Sequence, residues 1–308
     1  MSDERPSAPT PAAASPATKA PFHVSVAARC DVGIVRTNNE DAFVVADLTD
    51  GTLIENGAHG RFEAGDRGVL LAVSDGMGGA QAGEVASALV VDTLTRAMKE
   101  ASAALPHEAL LEDAVQRAHR AVWDAAADDD TKMGATLTAV FIHAGEAFIA
   151  EVGDSRAYLV RAGEICRLTR DQSMVQMLVD SGLMEPAQAE RSSIRHVILQ
   201  AMGHQPNVKV ALGKLELRDR DCIVLCSDGL TGHVQDDEIR DVVLDSGRPE
   251  ISATELVALA NARGGEDNIT VVVAGVAGSL SRPPPGETID DTFKVLSTFE
   301  ARDTPKRR

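Results

Sequence analysis

The chain has 308 residues and a formal net charge of −17, and it is 44% hydrophobic but only 3% aromatic. An acidic chain with few aromatic side chains is poorly suited to a phosphate backbone or to stacked bases, so we expect no nucleic-acid partner. Its four cysteines form no C-x-x-C pair, which argues against a disulfide framework or a zinc ribbon and favours the reducing cytoplasm. We also expect no membrane span and no secretory signal, because no apolar run is suitable.

The composition divides the chain into a body and two tails. Residues 1–21 are mostly Pro, Ala, Ser and Thr, which predicts a disordered N-terminal arm. The apolar pattern begins at Phe22 and stops after Val276, so residues 22–277 are predicted to form the folded domain. Residues 278–308 begin with a proline-rich stretch and are predicted to be a linker and a tail, with a short docking helix as the alternative.

Hydrophobic periodicity predicts the helices and strands of the body. The helices fall between groups of strands without strict βαβ alternation, which favours an α+β domain of antiparallel sheets covered by helices over a doubly wound parallel sheet. Helices are predicted over Glu84–Glu100, Leu110–Val122 and Leu256–Ala262, and strands over Ala42–Val45, Ala135–Ile142, Ala147–Val152, Ala157–Arg161, Cys222–Cys226 and Ile269–Val276.

One short phrase occurs twice, each time after an apolar run. The run at 70–73 is followed by Ser-Asp-Gly at 74–76, and the run at 223–226 is followed by Ser-Asp-Gly at 227–229. Both runs are predicted to be buried strands that end in a sharp turn. A carboxylate at the end of a buried strand is costly unless a positive group faces it. The repetition therefore suggests that Asp75 and Asp228 share a cation.

Further acidic residues lie in turns beside predicted strands. Oxygen ligands without His or Cys companions favour magnesium or manganese over zinc, and the histidines never have zincin spacing. One Asp in a turn is common, but five such positions, each next to an apolar strand, predict a metal site. These positions are Glu40–Asp41, Asp75, Asp154, Asp228 and Asp267.

Six motifs follow one another along the body: Asp31-x-Gly33-x-x-Arg36-x-x-Asn39-Glu40-Asp41, Ser74-Asp75-Gly76-Met77-Gly78-Gly79, Gly134-Ala135-Thr136, Val152-Gly153-Asp154-Ser155-Arg156, Cys226-Ser227-Asp228-Gly229-Leu230 and Asp267-Asn268-Ile269-Thr270. In this order they resemble the metal-dependent protein phosphatase 2C family over nearly the whole body. The resemblance implies four layers, an antiparallel β-sandwich flanked by helices on both sides, with a binuclear manganese or magnesium centre at one end. It also implies hydrolysis of phosphoserine and phosphothreonine in proteins.

The resemblance further implies which residues bind the two tightly held ions. Asp75 looks like the carboxylate that bridges both ions, and the Gly76 carbonyl looks like a further ligand. Asp228 and Asp267 look like ligands of one ion.

Other implied roles concern residues around this pair of ions. Asp41, with Glu40 beside it, looks like the ligand position for the other ion, and Asp41 is favoured over Glu40. Asp154 looks like the ligand of a third, weaker ion, with a turn-capping role as the alternative. Arg36 looks like the residue that clamps the substrate phosphate. Asn268 is expected to orient a neighbouring ligand rather than to bind substrate.

The implied chemistry is in-line attack on phosphorus by a hydroxide that bridges the two ions, without a covalent intermediate. Arg36 and metal-bound waters would hold the phosphate oxygens. Some members of the family have a His two residues after the bridging Asp, whereas this chain has Met77. A metal-bound water is therefore expected to protonate the leaving oxygen.

Two other functional classes are alternatives to an active metal-dependent enzyme. Residues 30–37 fit the C-x-x-G-x-x-R-T loop of cysteine-dependent tyrosine phosphatases, but Arg36 precedes a predicted strand instead of a helix, and Asp31 would repel phosphate. A catalytically silent module for binding or regulation is disfavoured because every ligand position is filled. We predict an active monomer whose partners are phosphorylated proteins and Ser/Thr kinases.

Two segments depart from the rest of the pattern. Residues 169–203, with a helical stretch at Met174–Val179, resemble the mobile flap beside the active site of bacterial members of the family. Residues 47–68 are long and polar and are predicted to form a surface loop.

Overall fold

Two antiparallel β-sheets pack face to face in the computed structural model, which describes residues 21–63, 65–78, 81–102, 105–128, 133–189 and 191–300. The strands are β1 (Phe22–Asp31), β2 (Asp41–Asp47), β3 (His59–Glu63), β4 (Val69–Met77), β5 (Gly134–Ala135), β6 (Leu137–His143), β7 (Glu146–Val152), β8 (Arg156–Arg161), β9 (Glu164–Arg167), β10 (Ala211–Glu216), β11 (Cys222–Cys226), β12 (Ile269–Gly278) and β13 (Phe293–Ser297). The helices are α1 (Ala82–Glu100), α2 (His107–Asp128), α3 (Met174–Asp180), α4 (Pro186–Ala189), α5 (Asp228–Thr231), α6 (Asp236–Ser246) and α7 (Pro249–Ala262), with a 3-10 turn at Ile289–Asp291.

Three apolar layers separate these elements. The six-stranded sheet has the order β3-β1-β12-β11-β8-β9, and the seven-stranded sheet has the order β13-β10-β7-β6-β4-β2 with β5 beside β4. One core lies between the sheets, a second lies between the seven-stranded sheet and helices α1 and α2, and a third lies between the six-stranded sheet and helices α5 to α7. The predicted four-layer α+β sandwich is confirmed.

The central strands are apolar on both faces because both faces are covered. Val69–Met77 and Ile269–Gly278 each pack against the opposite sheet on one side and against helices on the other, so most of their residues are buried. Each fully buried Val or Leu side chain contributes roughly 1.5–3 kcal/mol relative to an exposed one. These strands therefore form a rigid frame for the turns at their ends.

The strand pairing brings the predicted acidic turns to one edge of the sandwich. In the β2–β4 pair, Asp41 lies directly opposite Asp75. In the β8–β11 pair, Arg156 lies opposite Cys226, so the turn that precedes β8 lies near the end of β11. β12 begins at Ile269, beside the end of β11. Residues that are far apart in sequence thus converge at this edge.

Two predicted segments differ from the structure. The strand predicted over residues 135–142 is divided at Thr136, whose N–H donates to the carbonyl of Asp75 at 2.8 Å. The prediction that residues 47–68 form only a surface loop was wrong, because this segment contains β3, which pairs with β1 at the sheet edge. Phe62 is the only large apolar residue of that strand, so the sequence shows little alternation there.

The C-terminal segment also differs from its prediction. Residues 293–297 form β13, which pairs with β10, and neither the predicted docking helix nor an unstructured tail is found at these positions. Phe293 packs over Gly213, where an added Cβ would lie 2.7 Å from the phenyl ring. The predicted N-terminal arm, apart from Pro21, lies outside the described residues. Within the described residues, no helix is both long enough and apolar enough to cross a bilayer.

Candidate metal centre

Asp75 lies near the end of β4, at the edge of the sandwich. Its N–H donates to Thr136 Oγ1 at 2.9 Å, and its carbonyl accepts the Thr136 N–H at 2.8 Å. The buried Ser74 hydroxyl donates to the Thr136 carbonyl at 2.7 Å. These bonds fix the backbone from which the Asp75 carboxylate extends.

Each glycine of the two Ser-Asp-Gly turns stands where the backbone of another element comes close. A Cβ on Gly76 would lie 2.1 Å from the carbonyl oxygen of Gly83, and a Cβ on Gly229 would lie 2.0 Å from the carbonyl oxygen of Asn268. Neither position has room for a side chain. Glycine therefore lets α1 pack against the end of β4 and lets α5 pack against the start of β12.

Asp228 and Asp267 lie in two turns of the six-stranded sheet that are far apart in sequence, and both line the same pocket. Asp228 is the first residue of α5, one residue after the end of β11, and Asp267 precedes β12. Asp267 Oδ1 accepts the Asn268 N–H at 2.8 Å, and its Oδ2 pairs with Arg36 Nη2 at 2.8 Å. His196 Nδ1 lies 3.7 Å from Asp228 Oδ2. Each of these carboxylates therefore already has a basic neighbour.

Asp154 lies in the turn between β7 and β8. Gly153 has a φ of 110°, which favours glycine, and it bonds twice to Gln172: its N–H donates to Oε1 at 2.8 Å and its carbonyl accepts the Gln172 N–H at 2.8 Å. The hydroxyls of Ser155 and Thr136 are hydrogen-bonded at 2.7 Å. Thr136 thus connects the Asp154 turn to the Asp75 turn.

These turns meet in a pocket of about 470 Å³. The structure brings most of the predicted site residues into its lining, which also contains residues of the segment 169–203. The acidic lining residues are Glu40, Asp75, Asp154, Asp228, Glu266 and Asp267, and the basic ones are Arg36, Arg195, His196 and His233. Gly76, Met77 and Asn268 line the same pocket.

Glu40 and Asp41 occupy different positions. Glu40 lines the pocket, with its Oε2 only 2.0 Å from where a Cβ on Gly83 would stand. Asp41 is not among the described lining residues. Its Oδ2 accepts the hydroxyls of Ser227 and Thr270, both at 2.7 Å, whereas its buried Oδ1 has no hydrogen-bond partner in the described part of the chain. The wall of the pocket thus presents Glu40, and Asp41 stands behind it with one unpaired oxygen.

The carboxyl groups of this centre disfavour one another's ionisation. Burial, followed by the charges of Asp41 and Asp228, raises the pKa of Asp75 well above its ordinary value. Burial and the charge of Asp228 likewise raise the pKa of Asp154. Burial is also the main cause that raises the pKa of Asp41 to about 7. A divalent cation would reverse these shifts, because it stabilises the ionised carboxylates.

The donor chemistry of the pocket fits hard divalent cations. Its carboxylate oxygens, together with the unpaired Oδ1 of Asp41, are the ligand type that manganese and magnesium prefer. As arranged here, however, no three His, Cys, Asp or Glu side chains of the described residues are placed to hold an ion. Asp267 is paired with Arg36, and Asp41 with Ser227 and Thr270. Ion binding would therefore require at least Asp267 to exchange its partner.

The Asn268 side chain supports the loop that precedes β2. Its Nδ2 donates to the carbonyls of Val32 and Asn38 at 3.0 and 2.9 Å, and its Oδ1 accepts the Glu40 N–H at 2.8 Å. Its contact with Asp267 is made by the backbone N–H, at 2.8 Å. The Asn268 main chain thus contacts Asp267, whereas its side chain holds the loop that precedes β2.

Sequence reasoning assigned no role to several residues that the structure places here. Thr136 and Gln172 hold the Asp75 and Asp154 turns, and Thr136 belongs to the Gly134-Ala135-Thr136 motif, which could have marked it. Arg195 and His196 line the pocket from the polar segment 169–203, where nothing distinguished them from their neighbours.

Cys30 is a structural residue in this fold. Burial and the neighbouring Asp41 raise the pKa of its thiol to about 11, whereas a nucleophilic cysteine needs a lowered pKa. Its Sγ accepts a hydrogen bond from Asn39 Nδ2 at 3.0 Å and lies 3.1 Å from Thr270 Oγ1. The segment after Arg36 leads into β2, not into a helix. The cysteine-dependent alternative is therefore rejected.

Comparisons with known proteins point to one family. The family model of protein phosphatase 2C matches residues 56–260. Serine/threonine protein phosphatase PstP of Mycobacterium tuberculosis is 39% identical over 258 residues, which are 81% of this chain and 44% of that protein. Serine/threonine phosphatase stp of Listeria welshimeri is 34% identical over 250 residues, which are 80% of this chain and 93% of that protein. The chain thus spans less than half of the mycobacterial relative and nearly all of the Listeria one.

Solved structures share the fold. The crystal structure of Mycobacterium tuberculosis PstP superposes with a TM-score of 0.71 at 36% identity, covering 83% of this chain and 100% of that chain. The catalytic domain of PstP in complex with 2 manganese ions gives a TM-score of 0.70 at 36% identity, with the same coverage. Stp1 from Staphylococcus aureus gives 0.72 at 30% identity, covering 82% of this chain and 95% of that chain.

Proposed function

The chain belongs to the protein phosphatase 2C family, and from this premise we propose that it hydrolyses phosphoserine and phosphothreonine in proteins with divalent cations as cofactors. The observation that carries the proposal is the acidic pocket, where turns from both sheets bring Asp75, Asp228 and Asp267 together. Carboxylates crowded in this way attract divalent cations, and such cations bind phosphate.

We propose manganese or magnesium as the cofactor, with two tightly bound ions and a weaker third. The support is the 2-manganese complex of the relative PstP, together with the oxygen-only donors of this pocket. The Asp154 turn, tied to the Asp75 turn through Thr136, is the proposed place of the third ion. The other proposed donors are Asp75, the Gly76 carbonyl, Asp228, Asp267, and Glu40 or Asp41.

The residues of the chain then bind and orient the substrate. When bound, the ions supply a water of lowered pKa and neutralise charge on the phosphoryl oxygens. Arg36 lines the pocket with its side chain 52% exposed, and its forked donors fit phosphate oxygens. We propose that Arg36 leaves Asp267 for the phosphate once Asp267 serves as a ligand. Met77 lines the pocket without a proton to donate, so the leaving oxygen takes its proton from another donor.

The proposal also covers the substrates of the protein, the enzymes it opposes, its oligomeric state and its location in the cell. Its substrates would be phosphorylated proteins, it would oppose Ser/Thr protein kinases, and it would act as a monomer in the cytoplasm. The support is the family membership and the two relatives named as serine/threonine phosphatases.

The first prediction concerns the ligands. With a phosphoserine peptide or an aryl phosphate, we expect turnover with manganese and none with a chelator. Asp75→Asn and Asp228→Asn should each lower kcat/KM by about a thousandfold or more, because a lost carboxylate removes both ion affinity and the activated water. Calorimetric titration should show weaker manganese binding by both variants. Glu63→Gln, at a side chain 71% exposed, is the matched control, and full activity in the chelator would refute the proposal.

The second prediction distinguishes a metal-dependent phosphatase from a cysteine-dependent phosphatase and from a catalytically silent module. Cys30→Ser should keep kcat/KM within about threefold, because the buried thiol of raised pKa takes no part in catalysis. Loss of activity with intact manganese binding would restore the cysteine mechanism. A silent regulatory module would instead bind manganese and phosphopeptide, both measurable by calorimetry, without any turnover.

A further inference from the structure

Two adjacent aliphatic side chains are exposed directly before the proposed phosphate-binding arginine. Ile34 is 67% exposed and Val35 is 65% exposed, and Arg36 follows them in the chain. Large apolar residues scattered singly over a surface need no explanation. A pair next in the chain to Arg36, which lines the candidate pocket, is a different case, because contact with a ligand would remove both side chains from water.

Hydrogen bonds and close packing hold this pair in place. The N–H groups of Ile34 and Val35 both donate to the carbonyl of Gly265, at 2.8 and 3.2 Å. Gly33 has a φ of +81°, and a Cβ there would lie 2.2 Å from the carbonyl oxygen of Asp267. The loop therefore lies directly against the turn that carries Asp267. The exposure of the two side chains is thus built into the fold, and a preorganised surface loses little entropy on binding.

The space around Gly265 also shows how close the turn that carries Asp267 lies to the loop that carries Ile34. Gly265 has a φ of +51°, and a Cβ there would lie 2.9 Å from Cγ1 of Ile34. The Glu266 N–H, next in the same turn, lies 3.4 Å from Nε2 of His233, which lines the pocket. The aliphatic pair is therefore continuous with the rim of the metal pocket through this one turn.

We propose that Ile34 and Val35 bind an aliphatic side chain of the substrate that lies within about three residues of the phosphorylated Ser or Thr. This inference rests on the proposed function. A phosphorylated residue in the pocket carries its flanking chain across the rim, and extended chain advances roughly 3.4 Å per residue, so nearby side chains can reach the pair. The pocket itself recognises the phosphate, and the pair supplies apolar contact beside it. The occupant is therefore the substrate segment itself.

A peptide panel tests this inference. One Leu is moved from three residues before to three residues after the phosphoserine in an otherwise Gly and Ser sequence, and kcat/KM is compared with the all-Ser peptide. We expect Leu to raise kcat/KM about fivefold at one or two positions, as partial burial of an aliphatic side chain allows. The double variant Ile34→Ser with Val35→Ser should reduce this Leu/Ser ratio to below about twofold. Leu244→Ser, 47% exposed on α6, should keep the ratio of the wild type.

The ratio makes the outcomes distinguishable. The Leu/Ser ratio of kcat/KM is unaffected by any loss of activity that arises in the pocket itself. Activity on the aryl phosphate measures that loss separately. An active enzyme without a Leu preference, or a double variant that keeps the preference, would overturn the inference alone. A protein inactive on peptides and on the aryl phosphate would overturn the proposed function as well. Light scattering that showed a dimer, lost in the double variant, would assign the pair to a second copy of the chain and would also overturn the inference.

Discussion

The serines of the two Ser-Asp-Gly turns each form a buried hydrogen bond that helps to fix the candidate metal centre. Ser74 donates to the Thr136 carbonyl and Ser227 donates to Asp41 Oδ2, both at 2.7 Å, and both serines are fully buried. Each turn therefore needs a hydroxyl that ties it to a neighbouring element, a carboxylate that extends outward, and a glycine that leaves room for a close backbone. This division of roles explains why the same three residue types recur.

Asp41 gives a prediction at the residue scale. Burial raises its pKa to about 7, above an unfolded value of about 4. The folded protein therefore holds a proton that the unfolded chain releases, and this contribution to stability is complete below about pH 4 and is lost as pH rises through about 7. In the metal-free protein, Asp41→Asn should thus gain stability relative to the wild type as pH rises, by on the order of 3 kcal/mol.

Urea unfolding at pH 5 and pH 8 in a chelator measures this difference. Asn keeps an oxygen for the hydroxyls of Ser227 and Thr270, so the variant should fold. Asp50→Asn, at an exposed turn, is the control and should show no gain with rising pH. An equal difference between Asp41→Asn and wild type at both pH values would contradict the assignment.

The acidic residues of the candidate site could be predicted from the sequence more readily than the residues that hold them in place. Asp75 lies near the end of an apolar strand, and Asp154, Asp228 and Asp267 lie next to the ends of others. Local sequence therefore places them at strand ends, and the sandwich brings those ends together. The choice between Glu40 and Asp41 depends on how the start of β2 is placed at the pocket, and that is decided by pairing with β4, where Asp41 lies opposite Asp75.

At the scale of elements, the segment 169–203 is fixed at both ends and open in the middle. Gln172, Ser173 and Gln200 are nearly fully buried, and Gln172 bonds to the Gly153 backbone. Ser173 pairs with Ile198, and the Met174 N–H donates to the carbonyl of Val197 at 2.8 Å. The middle of the segment, with the half-buried α3 and the mostly exposed α4, therefore leaves and returns at almost the same point.

This anchoring makes a flap deletion practical. Replacing residues 175–196 with a short Gly-Ser link should preserve the fold, because the flanking residues are hydrogen-bonded neighbours. We expect kcat/KM to fall about tenfold more on a phosphoprotein than on an aryl phosphate, since a loop at the rim contacts the protein substrate more widely. The deletion removes Arg195 and His196 for both substrates, so the ratio of the two rates isolates the protein contact. An equal loss on both substrates would argue against a specificity role.

Elements with a strong apolar pattern could be predicted, whereas two weakly apolar edge strands could not. The long helix α1 and the buried strands β11 and β12 lie within a few residues of their predicted bounds. The edge strands β3 and β13 were missed, because an edge strand buries only part of one face and needs few apolar residues. Their place in the sheets is decided by pairing with β1 and β10, which no local pattern reports.

At the scale of the whole molecule, the candidate centre joins the two sheets. Asp75 extends from β4 of the seven-stranded sheet, whereas Asp228 and Asp267 flank β11 and β12 of the six-stranded sheet. Elsewhere an apolar core holds the sheets together. At this edge like charges face each other, in a chain that already carries a net charge of −17.

Manganese should therefore stabilise the whole domain. A ligand that binds only the folded state at a hundred times its Kd adds about 2.7 kcal/mol, which for a domain of this size raises Tm by roughly 5–10 °C. The rise should be larger at pH 8 than at pH 6, because bound carboxylates must be ionised and burial raises the pKa of Asp75 and Asp154.

Asp75→Asn should lose most of the rise, while its metal-free form should melt no lower than the wild type, since one buried, repelled charge is gone. Calorimetric melts of wild type, Asp75→Asn and the exposed control Glu63→Gln across a manganese series measure all three effects. An undiminished rise in Asp75→Asn would show that the ion stabilises the fold from somewhere other than the junction of the two sheets.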